Sequence, residues 1–260
     1  MTRTLLLLAA LAADPGAGDP AAPVDLASVL NEAQVVEAAD TAAWAHLSFR
    51  RHTVRQDLGD NDEVLKAEEM VFRVTPKAGG FDEALVLLDG KTPEPQEVKK
   101  QRRLGRFAKH YRTLIRGDSE DSAEGGYSLG DLLHLSAYRY VGRETVASVP
   151  CYRLDFSPDD SKKTSGLAGR FANAMGGSLW LTVEGGHMAR AVARTLRPVS
   201  IAFSLSKVHD LQVSLESAPV GGGVWLPRRI EVLTKARVLT FFISRRNLYT
   251  YSDFEAGSSH

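Results

Sequence analysis

From Asp25 onward the apolar residues Leu26, Val29, Leu30, Ala33 and Val36 recur at three- and four-residue spacing. That period places them on one face of a helix, with Asp25 as its cap. At Trp44 the period changes to two. Leu47 and Phe49 alternate with His46, Ser48 and Arg50, and Met70, Phe72 and Val74 alternate with Glu69, Val71 and Arg73. Phe81 to Leu88 continues before Asp89-Gly90-Lys91 turns the chain. Three strands in succession predict an antiparallel meander.

Thr92-Pro93-Glu94-Pro95 reads as a helix start with Thr92 as cap, and the helix is expected to run to Ile115. Its apolar arc holds Leu104, Phe107, Tyr111 and Leu114, and its other arc is basic. Between 94 and 116 there are eight basic and two acidic side chains, whereas Gly117 to Asp131 holds acidic residues alone. A short helix is expected around Ser128 to Leu135. Tyr152, Leu154 and Phe156 then resume the two-residue alternation. An inserted segment, Ser161 to Gly177, puts Leu167, Phe171 and Met175 on one helical face, with Gly176-Gly177 as its stop.

The remaining chain reads as strands. They carry Leu179, Leu181 and Val183; Met188 to Leu196; Leu211, Val213 and Leu215; Ile230 and Val232; Leu239, Phe241 and Ile243; and Tyr249 and Tyr251. Glu184-Gly185-Gly186-His187 and Gly221-Gly222-Gly223 are the turns. Nine or ten strands joined by short turns, each polar on one side, predict an α+β fold. Its core is a strongly curved antiparallel sheet, wet on its outer side.

Composition narrows the class. The chain has 260 residues, with Lys+Arg 32 against Asp+Glu 32. Zero net charge argues against a nucleic-acid binder held by phosphate contacts. A single cysteine, Cys151, can form no internal bridge and cannot supply a cysteine-based zinc site. Met1-Thr2-Arg3-Thr4, the apolar run Leu5 to Ala13 and the small-x-small Ala10-Leu11-Ala12 have the layout of a signal peptide. The run is about half the ~20 residues a spanning helix needs. The expected organisation is a signal peptide over 1–12, a flexible linker over 13–23, one domain over 24–255 and a tail over 256–260. The mature chain is expected to be soluble outside the cytoplasm.

Motifs for chemistry are missing from the pattern. The seven histidines form no His-Glu-x-x-His or His-x-His, no Gly-x-Ser-x-Gly elbow occurs, and no phosphate loop is spelled. Glu68-Glu69 and Asp159-Asp160 are adjacent acids; neighbours on a strand point to opposite faces, and Asp159-Asp160 is expected in a turn after Pro158. The expectation is therefore a non-enzymatic protein without metal or cofactor. What remains is an arrangement of surfaces. The inner face of the sheet carries Phe49, Met70, Phe72, Leu87, Leu154, Phe156, Leu181, Leu215 and Phe241, with Leu167, Phe171 and Met175 as gating residues. These line a cavity for acyl chains if the helices leave one, and form an ordinary packed core if they do not. The basic helix, with Lys99, Arg103 and Arg106, is either a site for an anionic membrane surface or a solvated face balanced by the acidic stretch behind it.

Four pieces in order carry a family resemblance: Phe156-Ser157-Pro158, Gly177-Ser178-Leu179-Trp180-Leu181-Thr182, Trp225-Leu226-Pro227 and Tyr251-Ser252-Asp253-Phe254. With the order of helices and strands, they make the chain resemble the LolA/LolB lipoprotein-carrier superfamily, and more narrowly the periplasmic outer-membrane lipoprotein-sorting-like proteins. The resemblance implies an unclosed β-barrel whose concave face is covered by helices over a hydrophobic cavity. It implies a soluble carrier or sensor of lipid or lipoprotein acyl chains, in the manner of a chaperone for transport to the outer membrane. The other reading is an envelope scaffold module that binds a protein partner.

Overall fold

The computed structural model describes residues 24–78, 80–101, 135–159, 161–162, 166–201 and 206–256. Its first element is α1 (Leu26–Trp44), followed by β1 (Leu47–Leu58), β2 (Val64–Lys77) and β3 (Gly80–Leu88). After residues 95–101, which are helical, come β4 (Ser136–Val146), β5 (Val149–Pro158), the short α2 (Gly166–Ala172), β6 (Met175–Thr182) and β7 (Met188–Thr195). The chain continues through β8 (Val199–Ile201), β9 (Ser206–Gly221), β10 (Val224–Val238) and β11 (Phe241–Ala256).

All eleven strands belong to one sheet, in the order β3-β2-β1-β11-β10-β9-β7-β6-β5-β4, with β8 beside β9. Every pairing is antiparallel. β3 and β4 stand at opposite ends of that order, so the sheet is unclosed. The N-terminal meander folds back to meet the C-terminal strand, Val54 facing Leu248 across β1 and β11.

Helix α1 starts where its sequence requires. The Asp25 carboxylate accepts hydrogen bonds from the backbone N–H of Ala27 and Ser28, satisfying donors that a helix start leaves open. Leu26, Val29, Leu30 and Ala33 then pack on Leu154, Phe156, Met175, Leu179, Leu181 and Ala193. Leu154, Leu179 and Leu181 are at most 1% exposed. Each such side chain contributes about 1.5–3 kcal/mol through the water it sheds.

Several sequence expectations are corrected. β4 was not anticipated. Tyr138 and Tyr140 alternate as a strand should, but a bulge between Tyr140 and Gly142 breaks the period. Leu239-Thr240, expected inside a strand, is the turn between β10 and β11, and nothing in its composition announces a turn. The helix at 95–101 is capped by Glu94 rather than Thr92. The Glu94 carbonyl accepts from the N–H of Val98, and the Glu97 carboxylate reaches back to the Glu94 N–H, a capping box with Pro95 at the first helical position. Gly176 and Gly177 do not stop a helix, since α2 ends at Ala172 and both lie in β6. A Cβ on Gly177 would stand 1.9 Å from the Val192 carbonyl oxygen, so the β6–β7 approach demands glycine there. The expected signal peptide, the linker and the helix beyond residue 101, with Arg103 and Arg106, lie outside the described residues. No described helix is long and apolar enough to cross a membrane.

Candidate functional site

The face of the sheet on which α1 packs divides into two halves. One comprises β4 to β7 with β9, where α1 supplies Leu26, Val29, Leu30 and Ala33, and Phe171 of α2 joins from the margin. Leu154, Phe156, Met175 and Leu181, expected to line a cavity, are buried there in direct contact with these helices. Leu215 is half-buried, in register with Ala191 of β7 and Ile230 of β10.

The other half is built by β1, β2, β3, β10 and β11, and its character changes along β1. Inward positions alternate as Phe49, Arg51, Thr53, Arg55 and Asp57. Phe49 sits in an aromatic group with Trp44, Phe81, Tyr251 and Phe254, at centroid separations of 5.5–5.8 Å. Next along the strand, Arg51 lies between Phe72 and Tyr251 in the ladder. Its guanidinium donates two hydrogen bonds to the Glu83 carboxylate, at 2.7 and 2.8 Å, and lies 4.7 Å from the centroid of the Phe72 ring. Burial pulls this guanidinium down, but the hydrogen bonds and charge of Glu83 outweigh it and leave it above its ordinary value. Beyond it, Arg55 pairs with Glu68 at 3.2 Å and Arg245 with Asp57 at 2.8 Å.

The remaining expected residues fall as follows. Phe49 and Met70 are buried in this second half, while Phe72 remains half-exposed. Leu87 pairs with Val71, the neighbour of Phe72, and so lies on the opposite face. A bulge between Val71 and Phe72 inserts Val86 and reverses the alternation on which that placement rested. Phe241 is at the hairpin end of β11 and 71% exposed. Lys99 is exposed in the 95–101 helix, and the side chain of Leu167 is outside the described residues.

A polar knot holds the far end of α1 to the sheet. Asp40 accepts from Nδ1 of His187 at 2.8 Å and from the backbone N–H of Trp225 at 3.1 Å, and the Trp225 ring stacks on His187. Thr182, the hydroxyl nearest this pair in the hydrogen-bond chain, donates to the Glu184 carbonyl and accepts from the His187 N–H. The knot is therefore a turn and helix anchor. Among the described residues no group of three His, Cys, Asp or Glu side chains is placed to hold a metal ion.

The outer face carries its own polar ladder. Trp180, 7% exposed, lies between the guanidinium groups of Arg153 and Arg190 and donates through Nε1 to Glu144 at 2.7 Å. Hydrogen bonds from Arg153 and then Trp180 hold the Glu144 carboxyl below its ordinary value. A groove of about 320 Å³ runs beside this ladder, bounded by Arg153, Asp155, Ser178 and Arg194. Cys151 is wholly buried with Trp180 and Ala189, and burial pushes its thiol up. It is no exposed nucleophile.

Sequence reasoning missed Arg51 and Glu83 as wall residues, because charged side chains in an alternating strand are assigned outward, and it placed Tyr249 and Tyr251 on a strand without assigning them a face. The adjacent Arg50-Arg51 was the available signal, since two neighbours in a strand cannot both face water.

No family model matches the chain, and no curated protein matches it. Among solved structures it is similar to a DUF1329 family protein from Desulfovibrio piger, with 11% identity and a TM-score of 0.39 over 90% of this chain and 94% of the other. It is also similar to an outer membrane lipoprotein-sorting protein domain from Vibrio parahaemolyticus, with 8% identity and a TM-score of 0.39 over 89% and 94%. A LolA superfamily protein from Nitrosomonas europaea has 11% identity and a TM-score of 0.35 over 92% and 96%.

Proposed function

We propose that this chain is a non-enzymatic periplasmic carrier or sensor of lipid or lipoprotein acyl chains. Its guest lies against the wall formed by β1, β2, β3, β10 and β11 on the concave side of a curved sheet. The observation that carries the reading is the unequal filling of one continuous sheet. α1 buries the β5–β7 side, while Phe72, Leu85, Ile230, Val232, Tyr249 and Tyr251 on the other side stay half-exposed. The C-terminal end of α1 meets this wall, Trp44 through Phe49 and Tyr251 and Asp40 through the Trp225 N–H of β10. Half-exposed aromatic and branched side chains in a row favour an apolar guest. Arg51 Nε and Thr53 Oγ1 are buried with no hydrogen-bond partner among the described residues, and they offer donors to the ester or amide carbonyls at the head of an acyl chain.

Lipid extraction and mass spectrometry of protein purified from the periplasm test this. Stoichiometric acyl species are expected, and Phe72→Asp, at a half-exposed position, is expected to lose them with the fold intact. Wild-type protein that yields no acyl species overturns the reading. Among the described residues the outer edges of β3 and β4 pair with no further strand, which favours a second reading in which an envelope protein adds a strand. A stable protein partner in pull-downs, together with an empty lipid extract, would select it.

A further inference from the structure

The end of the β10–β11 hairpin combines features that neither the core nor the wall explains. Val238 and Phe241 form its last pair, joined by Leu239-Thr240. Leu239 is 57%, Phe241 71% and Phe242 77% exposed. Leu239 also has φ +55°, in a two-residue turn where glycine is the usual occupant of such a conformation. Other positive-φ residues outside glycine are Asp, Ala or Ser. A bulky apolar side chain is thus held in a strained position and presented to solvent.

The distribution of these side chains selects the partner. Phe241 and Phe242 are adjacent in one strand, so their rings project to opposite faces of the ribbon. A groove on another protein covers one face of a ribbon and leaves the other in water, whereas a lipid phase surrounds both. Behind the apolar tip, Phe242 is in register with Arg237, and Arg237 with Lys207. Two cations directly opposite each other in a sheet repel, and neither has an ion-pair partner among the described residues. Arg237 lies two residues from the turn, about 7 Å along the strand, which matches the depth at which interfacial segments place charge near phosphates. Further back, Lys235 and Arg245 are neutralised by Asp62 and Asp57. Asp60 is on the neighbouring β1–β2 turn, whereas Arg237 is in register with Phe242 of the tip itself.

We infer that the Leu239–Phe242 tip is a membrane-docking wedge that enters the interface of a bilayer containing anionic phospholipid, with Lys207 and Arg237 meeting the phosphates. This site is separate from the wall and does not depend on the wall holding a guest.

Flotation of the full chain with phosphatidylethanolamine–phosphatidylglycerol vesicles tests it, with phosphatidylcholine vesicles as the neutral control. The wild type is expected to float with the anionic vesicles. Phe241→Ser/Phe242→Ser is expected to lose at least about tenfold in partitioning. Lys207→Gln/Arg237→Gln should lose roughly tenfold on anionic vesicles alone. Phe242→Trp should shift its emission to the blue on vesicle addition. All variants are at exposed or half-exposed positions and should keep the wild-type melting temperature and acyl content, which separates this test from that of the carrier reading. A wild type that stays in the aqueous fraction, or a Phe241→Ser/Phe242→Ser protein that floats as well as wild type, overturns the inference. So does loss of a wild-type dimer in that variant without vesicles, which would assign the tip to a second copy of the chain.

Discussion

The two halves of the sheet use opposite chemistry on the same face. Beneath α1, the strands β5 to β7 present Leu154, Phe156, Leu179 and Leu181, and the helix answers with Leu26, Val29, Leu30 and Ala33. Across the sheet, β1 presents Phe49, Arg51, Thr53, Arg55 and Asp57, so apolar residues give way to ion pairs within a single strand. The first half follows the logic of a packed core. The second spends inward positions on charge, which stabilises little by itself, and keeps aromatic surface half-exposed. A wall that mixes half-exposed rings with fixed charges suits a reversible guest better than it suits maximal stability.

The strongest test of that contrast is a pair of truncations. Leu179→Ala should cost about 2–5 kcal/mol because it leaves a cavity beneath α1. Phe72→Ala, at a half-exposed position, should cost about 1–2 kcal/mol; urea unfolding of the two variants measures both. Equal losses would mean that the two halves are packed alike. Gly177→Ala comes next, at about 1–3 kcal/mol, since the new methyl meets the Val192 carbonyl and the strands must part. Thermal melts should register it as a lowered midpoint. Asp40→Asn, which weakens the knot with His187 and Trp225, should cost about 1–2 kcal/mol. Amide exchange should quicken in the C-terminal turns of α1 while β1 to β3 are unchanged.

The smallest effect concerns the outer face. Glu144 is held below its ordinary value of 4.5 in the folded chain, so its contribution is present above that value and lost as pH falls through the lower folded one. The difference in melting temperature between wild type and Glu144→Gln should be small and constant near neutral pH, and should vanish in acid. A difference that grows in acid would contradict the assignment.

Much of the fold was legible because its signals are local. The Asp25 cap, the three- and four-residue spacing of α1, the alternation in β1 to β3 and the glycine turns at 185–186 and 221–223 all lie within a few residues of sequence. The unforeseen features depend on events the period cannot carry. A bulge moved Leu87 to the outer face, another hid β4, and a turn made of Leu239-Thr240 has no turn residue to read. The core residues under α1 were identified correctly as inward, but whether a helix would lie on them depends on tertiary packing. Asp40 and His187 are 147 positions apart, and no spacing rule joins them. Arg51 was missed for a different reason, because its inward position is affordable only with Glu83 opposite.

The measurement that addresses the carrier reading most directly is photolabelling of the purified chain with a diazirine-bearing fatty acid, followed by peptide mapping. The account predicts crosslinks on Phe72, Leu85, Tyr249 and Tyr251 of β2, β3 and β11, with peptides of β5 and β6 unlabelled. Labels concentrated on β5 and β6, or none above background at saturating probe, would contradict it.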